Sequence, residues 1–334
     1  MRHIRTHHLI LMLVLGTALW LGFRTLRSRP TQPPPQATST TWEQVFTQPV
    51  RSLAAVGDVV VLGTYQDSYV LRADGTIVQV PAEPAPADSP WAGTVFALAA
   101  DPQNRTVYEG RDQAYQVGML DLGESKRQAV PSFGDGERWT VWSLAVGDAL
   151  YAGTGKGVWV RPLQPKTDEW QLLGPSADRA RLPVFSLLHT EQGLYAGTFD
   201  GMWLYRNGGW QFLADGPRGK VLAVAVLTWK GQRYLAAGTG DGLFLQRDGG
   251  PWQRVDGDCP EDPVVYSLAF DPKGGALFAG TADGVVQLDL SGADNRNHWE
   301  KVGLSGPVMA LAWHDGALIA GGDGGAFVWR EGRR

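Results

Sequence analysis

One apolar phrase recurs along the chain from residue 50 onward. It reads Val-x-(Ser/Ala)-Leu-Ala, a short gap, Leu-Tyr-Ala-Gly-Thr, a two-residue turn, then Gly-(Val/Met/Leu)-aromatic-(Leu/Val). The clearest copy is Val141-Trp-Ser-Leu-Ala145, Leu150-Tyr-Ala-Gly-Thr154 and Gly157-Val-Trp-Val160. Further copies open at Val184, Val221, Val265 and Val308, and looser ones at Val50 and Val95, where Glu109-Gly-Arg111 replaces Ala-Gly-Thr. Successive starts lie 45, 46, 43, 37, 44 and 43 residues apart. A period near 43 built from short β-type segments and Gly-rich hairpins is the pattern of a β-propeller; helical repeats of similar length lack such hairpins.

A fourth segment completes the unit. Trp170-Gln-Leu-Leu173, Trp210-Gln-Phe-Leu213, Trp252-Gln-Arg-Val255 and Trp299-Glu-Lys-Val302 each follow the third apolar segment of their copy. The copy from Val308 ends at Arg334 without such a phrase, and the missing one stands at the other end of the repeats as Trp42-Glu-Gln-Val45. The expectation is an all-β, seven-bladed propeller over residues 42–334, in which the amino-terminal strand supplies the outer strand of the last blade and closes the ring.

The first 41 residues follow a different pattern. Leu9 to Phe23 is an uncharged, mostly apolar run, and extension to Leu26 with Arg24 snorkelling gives 18 residues, about 27 Å of helix. No small-residue cleavage site and no cysteine follow it, so residues 1–29 are expected to form an uncleaved signal anchor with a single transmembrane helix at about 9–26, rather than a signal peptide. Residues 30–41 (PTQPPPQATSTT) are expected to form a Pro-rich stalk. Two arginines precede the apolar run and three follow it, so charge bias hardly decides orientation. A short amino-terminal tail before a large all-β body is the common layout of an extracytoplasmic domain, and that localisation is the expectation.

Composition and charge narrow the function classes. The 43 Gly and 21 Pro fit a turn-dense chain. The first 30 residues hold five arginines and no acid, which leaves 25 basic against 34 acidic groups after them, a net of −9. An acidic body of that kind argues against a general nucleic-acid binder. Cys259 is the only cysteine, so an intrachain disulfide or a Cys-based zinc site cannot form.

The Ala-Gly-Thr-x-Asp-Gly hairpins, and Arg247-Asp-Gly-Gly-Pro-Trp252 in particular, resemble the bacterial propellers with BNR/Asp-box-like repeats, although Gln246 stands where that box has Ser. That group includes sialidase-like, xyloglucanase-like, sortilin-like and photosystem II assembly-factor-like members. The resemblance implies the architecture of residues 42–334 and specifies no activity.

Candidate chemistry is sparse. The Asp-Gly pairs at 200–201, 241–242 and 283–284 are expected to form two-residue type I′ hairpin turns. The aromatic after the leading Val recurs as Phe96, Trp142, Phe185 and Tyr266, positions that either line the channel mouth and stack on ligands or pack between blades. Trp91 in a Pro-rich connector, and Arg179 and Arg181 in another, are candidate contact residues. Asp256, Asp258, Glu261 and Asp262 form an oxygen-rich loop that is a candidate Ca²⁺ site or a solvated acidic turn, and it lacks the EF-hand order. Gly216-Pro-Arg-Gly-Lys220 is not a P-loop, and neither G-x-S-x-G nor H-E-x-x-H occurs. His189, His298 and His314 fall in separate repeats. The expected function is a non-catalytic, membrane-anchored scaffold or assembly subunit that binds a protein partner, with no cofactor. The alternative is a surface glycan-active enzyme using two carboxylates at the mouth.

Overall fold

The computed structural model describes residues 42–80, 93–101, 103–112, 117–123, 126–133, 139–164, 169–174, 183–255, 264–290 and 299–330. The apolar run at 9–26 and the stalk at 30–41 lie outside them. Among the described residues no helix is long and apolar enough to cross a membrane.

These residues form 28 strands in seven four-stranded antiparallel sheets. The chain opens on β1 (Trp42–Phe46). Blade 1 is β2 (Ser52–Val56), β3 (Val59–Gly63), β4 (Ser68–Arg72) and β5 (Ile77–Val80); blade 2 is β6 (Val95–Asp101), β7 (Thr106–Arg111), β8 (Val117–Asp121) and β9 (Lys126–Ala129). Blade 3 is β10 (Val141–Val146), β11 (Ala149–Thr154), β12 (Gly157–Pro162) and β13 (Gln171–Gly174); blade 4 is β14 (Val184–Thr190), β15 (Gly193–Thr198), β16 (Gly201–Arg206) and β17 (Gly209–Phe212). Blade 5 is β18 (Val221–Trp229), β19 (Gln232–Thr239), β20 (Gly242–Arg247) and β21 (Trp252–Arg254); blade 6 is β22 (Val265–Asp271), β23 (Ala276–Thr281), β24 (Gly284–Asp289) and β25 (Trp299–Lys301). Blade 7 is β26 (Val308–His314), β27 (Ala317–Gly322) and β28 (Gly325–Arg330), and its fourth strand is β1, paired Trp42↔Trp329 through Phe46↔Ala326. The amino-terminal strand therefore closes the ring, as the displaced Trp phrase implies.

Two residues of the repeated phrase make the joints between blades. The leading Val of every blade is buried, at 2% exposure or less. It lies against the Gly of the preceding blade's Ala-Gly-Thr strand. A Cβ on Gly63, Gly110, Gly153, Gly197, Gly238 or Gly321 would come within 2.5–2.8 Å of Cγ1 of Val95, Val141, Val184, Val221, Val265 or Val50, and one on Gly280 within 2.7 Å of the Val308 carbonyl oxygen. The glycine is required by size, and the Gly321–Val50 contact joins the last blade to the first. At Gly153 a new methyl would also meet the Val184 backbone oxygen at 3.0 Å, which cannot swing away. Gly153→Ala should therefore destabilise the protein by about 1–3 kcal/mol through overpacking; a urea midpoint equal to wild type would remove this account of the joint.

The outer tryptophans make a second set of joints. The indole N–H of Trp170 donates to Pro131 O at 2.8 Å, that of Trp210 to Leu173 O at 3.1 Å, that of Trp299 to Val255 O at 3.3 Å and that of Trp42 to Val302 O at 2.5 Å. Each bond runs to the outer edge of the preceding blade.

The Asp-Gly pairs do not form the expected type I′ turns. Thr198 pairs with Gly201, so Phe199 and Asp200 are the central residues, and the positive φ falls on Gly201 at 116°. The Thr198 hydroxyl sets this geometry by donating to Gly201 O at 2.9 Å and accepting from the Asp200 N–H at 3.2 Å. The same pair of bonds recurs at Thr239 and Thr281. Turns with two positive φ values occur instead at Asn207-Gly208 (52°, 78°) and Asp315-Gly316 (49°, 73°).

Blade 2 departs from the others by four linked residues. In blades 3 to 7 an Ala of the second strand faces a large side chain of the third: Ala152↔Trp159, Ala196↔Trp203, Ala237↔Phe244, Ala279↔Val286 and Ala320↔Phe327. In blade 2 that pair is Glu109↔Gly118. Arg127, opposite Leu120, holds the register position of the outer Trp, as Trp210 does opposite Tyr205, and Arg111 replaces the Thr. Glu109 is fully buried and lies 2.7 Å from Arg127 Nε and 3.1 Å from Arg111 Nε, and it accepts from the Ser68 hydroxyl. Arg127 donates to Val80 O of blade 1 at 3.1 Å, the bond that a Trp makes elsewhere. Arg111 donates to Gly93 O at 2.7 Å and Gln66 O at 3.2 Å. Burial alone would raise the Glu109 carboxyl; Arg111 and Arg127, and the bonds from Arg127 and Ser68, reverse this and hold it below the usual range. An ion cluster thus fills the space that a Trp or Phe ring fills in blades 3, 4, 5 and 7.

Candidate functional site

Antiparallel order places the starts of all first strands, the turns between second and third strands and the ends of the outer strands on one face. At that face the first strands of blades 2 to 7 each carry a β-bulge directly after the leading Val. The residue that follows the buried Val alternates to the other side of the strand and is only partly covered, in the bulged blades and in unbulged blade 1 alike. Those residues are Phe96, Trp142, Phe185, Leu222, Tyr266 and Met309, with Arg51 in the matching place of blade 1, and all are half-buried. Sequence pattern left mouth and core open for the aromatics. The bulged rings touch their neighbours around the ring, Phe96–Trp142 at 4.9 Å and Trp142–Phe185 at 6.4 Å between centroids, and retain partial exposure.

Charges flank this belt unevenly. On one side Arg51 bonds Asp323 at 3.1 Å and lies 4.6 Å over the Tyr65 ring, and Lys301 bonds Asp283 at 2.9 Å. Burial raises the Tyr266 phenol, nearby Arg51 opposes this, and Asp323 adds to it. On the other side Lys220 Nζ lies 4.8 Å from the Phe185 ring centroid, and Arg218 lies 5.0 Å from that of Phe212. Burial lowers the Lys220 ammonium below its usual value. Phe199, on the blade 4 turn, is 60% exposed.

Of the residues singled out in the sequence, Trp142, Phe185 and Tyr266 are brought to this mouth. Trp91, Arg179, Arg181, Asp256, Asp258, Glu261 and Asp262 lie outside the described residues. Lys220, Arg51 and Phe199 escaped sequence reasoning; Lys220 stood in a segment scanned only as a P-loop, although its place next to the leading Val221 was a positional signal. His189 and His314 remain apart. His189 Nε2 is 3.1 Å from Asp148 and its ring stacks on Tyr151 at 5.6 Å, while His314 Nε2 is 3.6 Å from Asp315. Among the described residues no three His, Cys, Asp or Glu side chains form a metal-holding group.

No family model matches the chain. No curated protein matches it either. Similar solved structures include the extracellular domain of a B. thetaiotaomicron protein described as a one-component system, with a TM-score of 0.66 and 14% identity over 87% of this chain and 40% of that one. U3-55K is similar at a TM-score of 0.67 and 11% identity, over 89% of this chain and 100% of that chain. The Swd1 β-propeller domain of Myceliophteria thermophila is similar at 0.65 and 11%, over 87% and 99%. The chain is an all-β, seven-bladed propeller. It spans two fifths of the first of these structures, and identities this low establish the fold alone.

Proposed function

We propose that this propeller is a non-catalytic binding or scaffold subunit that engages a protein partner through the mouth, and that residues 9–26 anchor it in a membrane with the propeller on the extracytoplasmic side. The observation that carries the binding reading is the row of neighbouring rings Phe96, Trp142 and Phe185, half-buried at the face where the first strands start. Large aromatic rings left partly exposed, Trp above all, are the residues that dominate protein contacts. The membrane reading rests on the uncharged run at 9–23 and the Pro-rich segment after it. Trp42, where that segment joins the propeller, lies on the face opposite the mouth. Kinship with the Asp-box-like propellers is supported by Asp248 of the Arg247–Trp252 turn, whose carboxylate accepts the backbone N–H of Arg233 on β19 at 2.8 Å.

Purification from native membranes with wild-type and Trp142→Ala protein tests the binding site. The expected result is a co-purifying protein that the variant loses while keeping a cooperative thermal transition; retention of the same partner would sink the mouth assignment. For the anchor, the full-length chain should remain with membranes after a carbonate wash, whereas recovery of a native chain starting between residues 24 and 41 would replace the anchor by a signal peptide.

A further inference from the structure

Resting on that mouth reading, we infer that the occupant is an acidic peptide segment, one that sets a Glu or Asp carboxylate against Lys220 and an aromatic or aliphatic side chain beside it on Phe185 and Trp142.

Lys220 is held in place by its backbone, whose carbonyl accepts the Gly240 N–H at 3.1 Å, so the side chain rises between blades 4 and 5. Its ammonium is half-buried over the Phe185 ring, and no carboxylate among the described residues lies within ion-pair distance. Arg51, at the matching side of the first blade, has Asp323 at 3.1 Å, and Lys301 has Asp283 at 2.9 Å. Arg218, two residues before Lys220, has no acid within ion-pair distance among the described residues either and uses its guanidinium on Ala214 O at 2.8 Å and the Phe212 ring. A cation removed from water and left without a counter-charge is costly, and a partner carboxylate recovers that cost through a charge-assisted bond.

The surrounding charges give the site its selectivity. Asp200 and Asp241 stand in the turns of blades 4 and 5 on either side of Lys220, and the body after residue 30 carries a net −9. Arg51 and Lys301 on this face already hold Asp323 and Asp283, and Asp200 and Asp241 disfavour an acid set beside them, so Lys220 fixes where the carboxylate goes. Pro217 O lies 3.0 Å from where a Cβ on Gly201 would stand, which puts the connector carrying Arg218 and Lys220 against the turn that exposes Phe199. From Phe185 the rings run on to Trp142 at 6.4 Å and Phe96 at a further 4.9 Å. An extended chain rises ~3.3 Å per residue, so about four residues cover that belt, a length suited to a peptide rather than to a single small acid.

The test uses the full-length chain in detergent and two matched sets of fluorescent 12-residue peptides, with Glu or Asp beside Trp or Leu in one set and Gln or Asn in the same places in the other. Wild type should bind the best acidic peptide at least about tenfold more tightly than its amide twin. Lys220→Gln should bring the pair within about threefold, Lys220→Arg should keep the preference, and Trp142→Ala should weaken both peptides. Equal binding of acid and amide by wild type overturns the acidic occupant and leaves the mouth reading standing if Trp142→Ala still weakens both. Capture of neither set overturns both readings. Displacement of the acidic peptide by an equal concentration of an oligogalacturonate would assign the mouth to an acidic glycan and overturn the proposal. If Lys220→Gln fails to fold, a preference lost in Lys220→Arg overturns it as well.

Discussion

Glu109→Ala should destabilise the propeller by about 3–5 kcal/mol, the cost typical of breaking a buried ion cluster by removing one partner. The carboxylate is fully buried between Arg111 and Arg127, whose side chains are 4% and 7% exposed. Its removal leaves two buried guanidiniums facing each other across the space that the carboxylate vacates. A compensated change should behave differently. Glu109→Ala with Arg111→Thr, Gly118→Trp and Arg127→Trp restores the residues used by blades 3 and 4, and well-packed apolar replacements of buried ion clusters are often neutral or stabilising. The single variant should therefore melt well below wild type and the fourfold variant close to it. The pH dependence follows from the depressed carboxyl. A group held low in the fold contributes stability above its unfolded value, ~4.3, and loses it as pH falls through the folded value. The gap between wild type and Glu109→Gln, read from urea curves, should be widest near neutrality and close as pH drops below about 4. A gap that stays constant with pH would show that the Glu109 charge does not stabilise the joint.

The same cluster shows where sequence reading reaches its limit. Seven repeats and their closure were legible because every blade opens on a Val packed against a Gly, and blades 3 to 7 each carry an outer Trp, so identical residues recur at a nearly fixed period. Glu109-Gly-Arg111 was visible only as a looser copy. Its partners Gly118 and Arg127 lie on the next two strands, and their link to Glu109 exists only in the pairing register. The aromatic positions of the mouth were legible as a recurrence. Their partial exposure was not, because both faces of a propeller blade pack on neighbouring blades, so alternation after a buried Val does not say whether the opposite side is covered. The Asp-Gly turns misled for a comparable reason. The residue that sets their geometry is the Thr before them, whose hydroxyl closes the loop onto the glycine and moves the positive φ out of the central pair.

Loss of β1 should destabilise the propeller far more than loss of the residues before it. Trp42 is 6% exposed, its N–H reaches Val302 O, and its ring packs with Trp329 at 6.5 Å in a cluster that includes Phe278, Leu304 and Phe327. Trp42→Ala alone should cost about 3–5 kcal/mol for a large ring removed from a packed site. At ~2–4 °C per kcal/mol for a domain of this size, the midpoint should fall by on the order of 10 °C. Deleting residues 1–46 removes more than the ring: it strips the partner from β28 and exposes a strand edge whose Gly325–Trp329 segment is almost wholly apolar. Such an edge is a template for intermolecular pairing, so this truncation should aggregate or melt far below one that stops at residue 39. The two truncations differ by seven residues, and a tether that only holds the propeller to something else would make them equivalent. Equal thermal midpoints with no difference in aggregation would show that the blade 7 sheet does not depend on the amino-terminal strand.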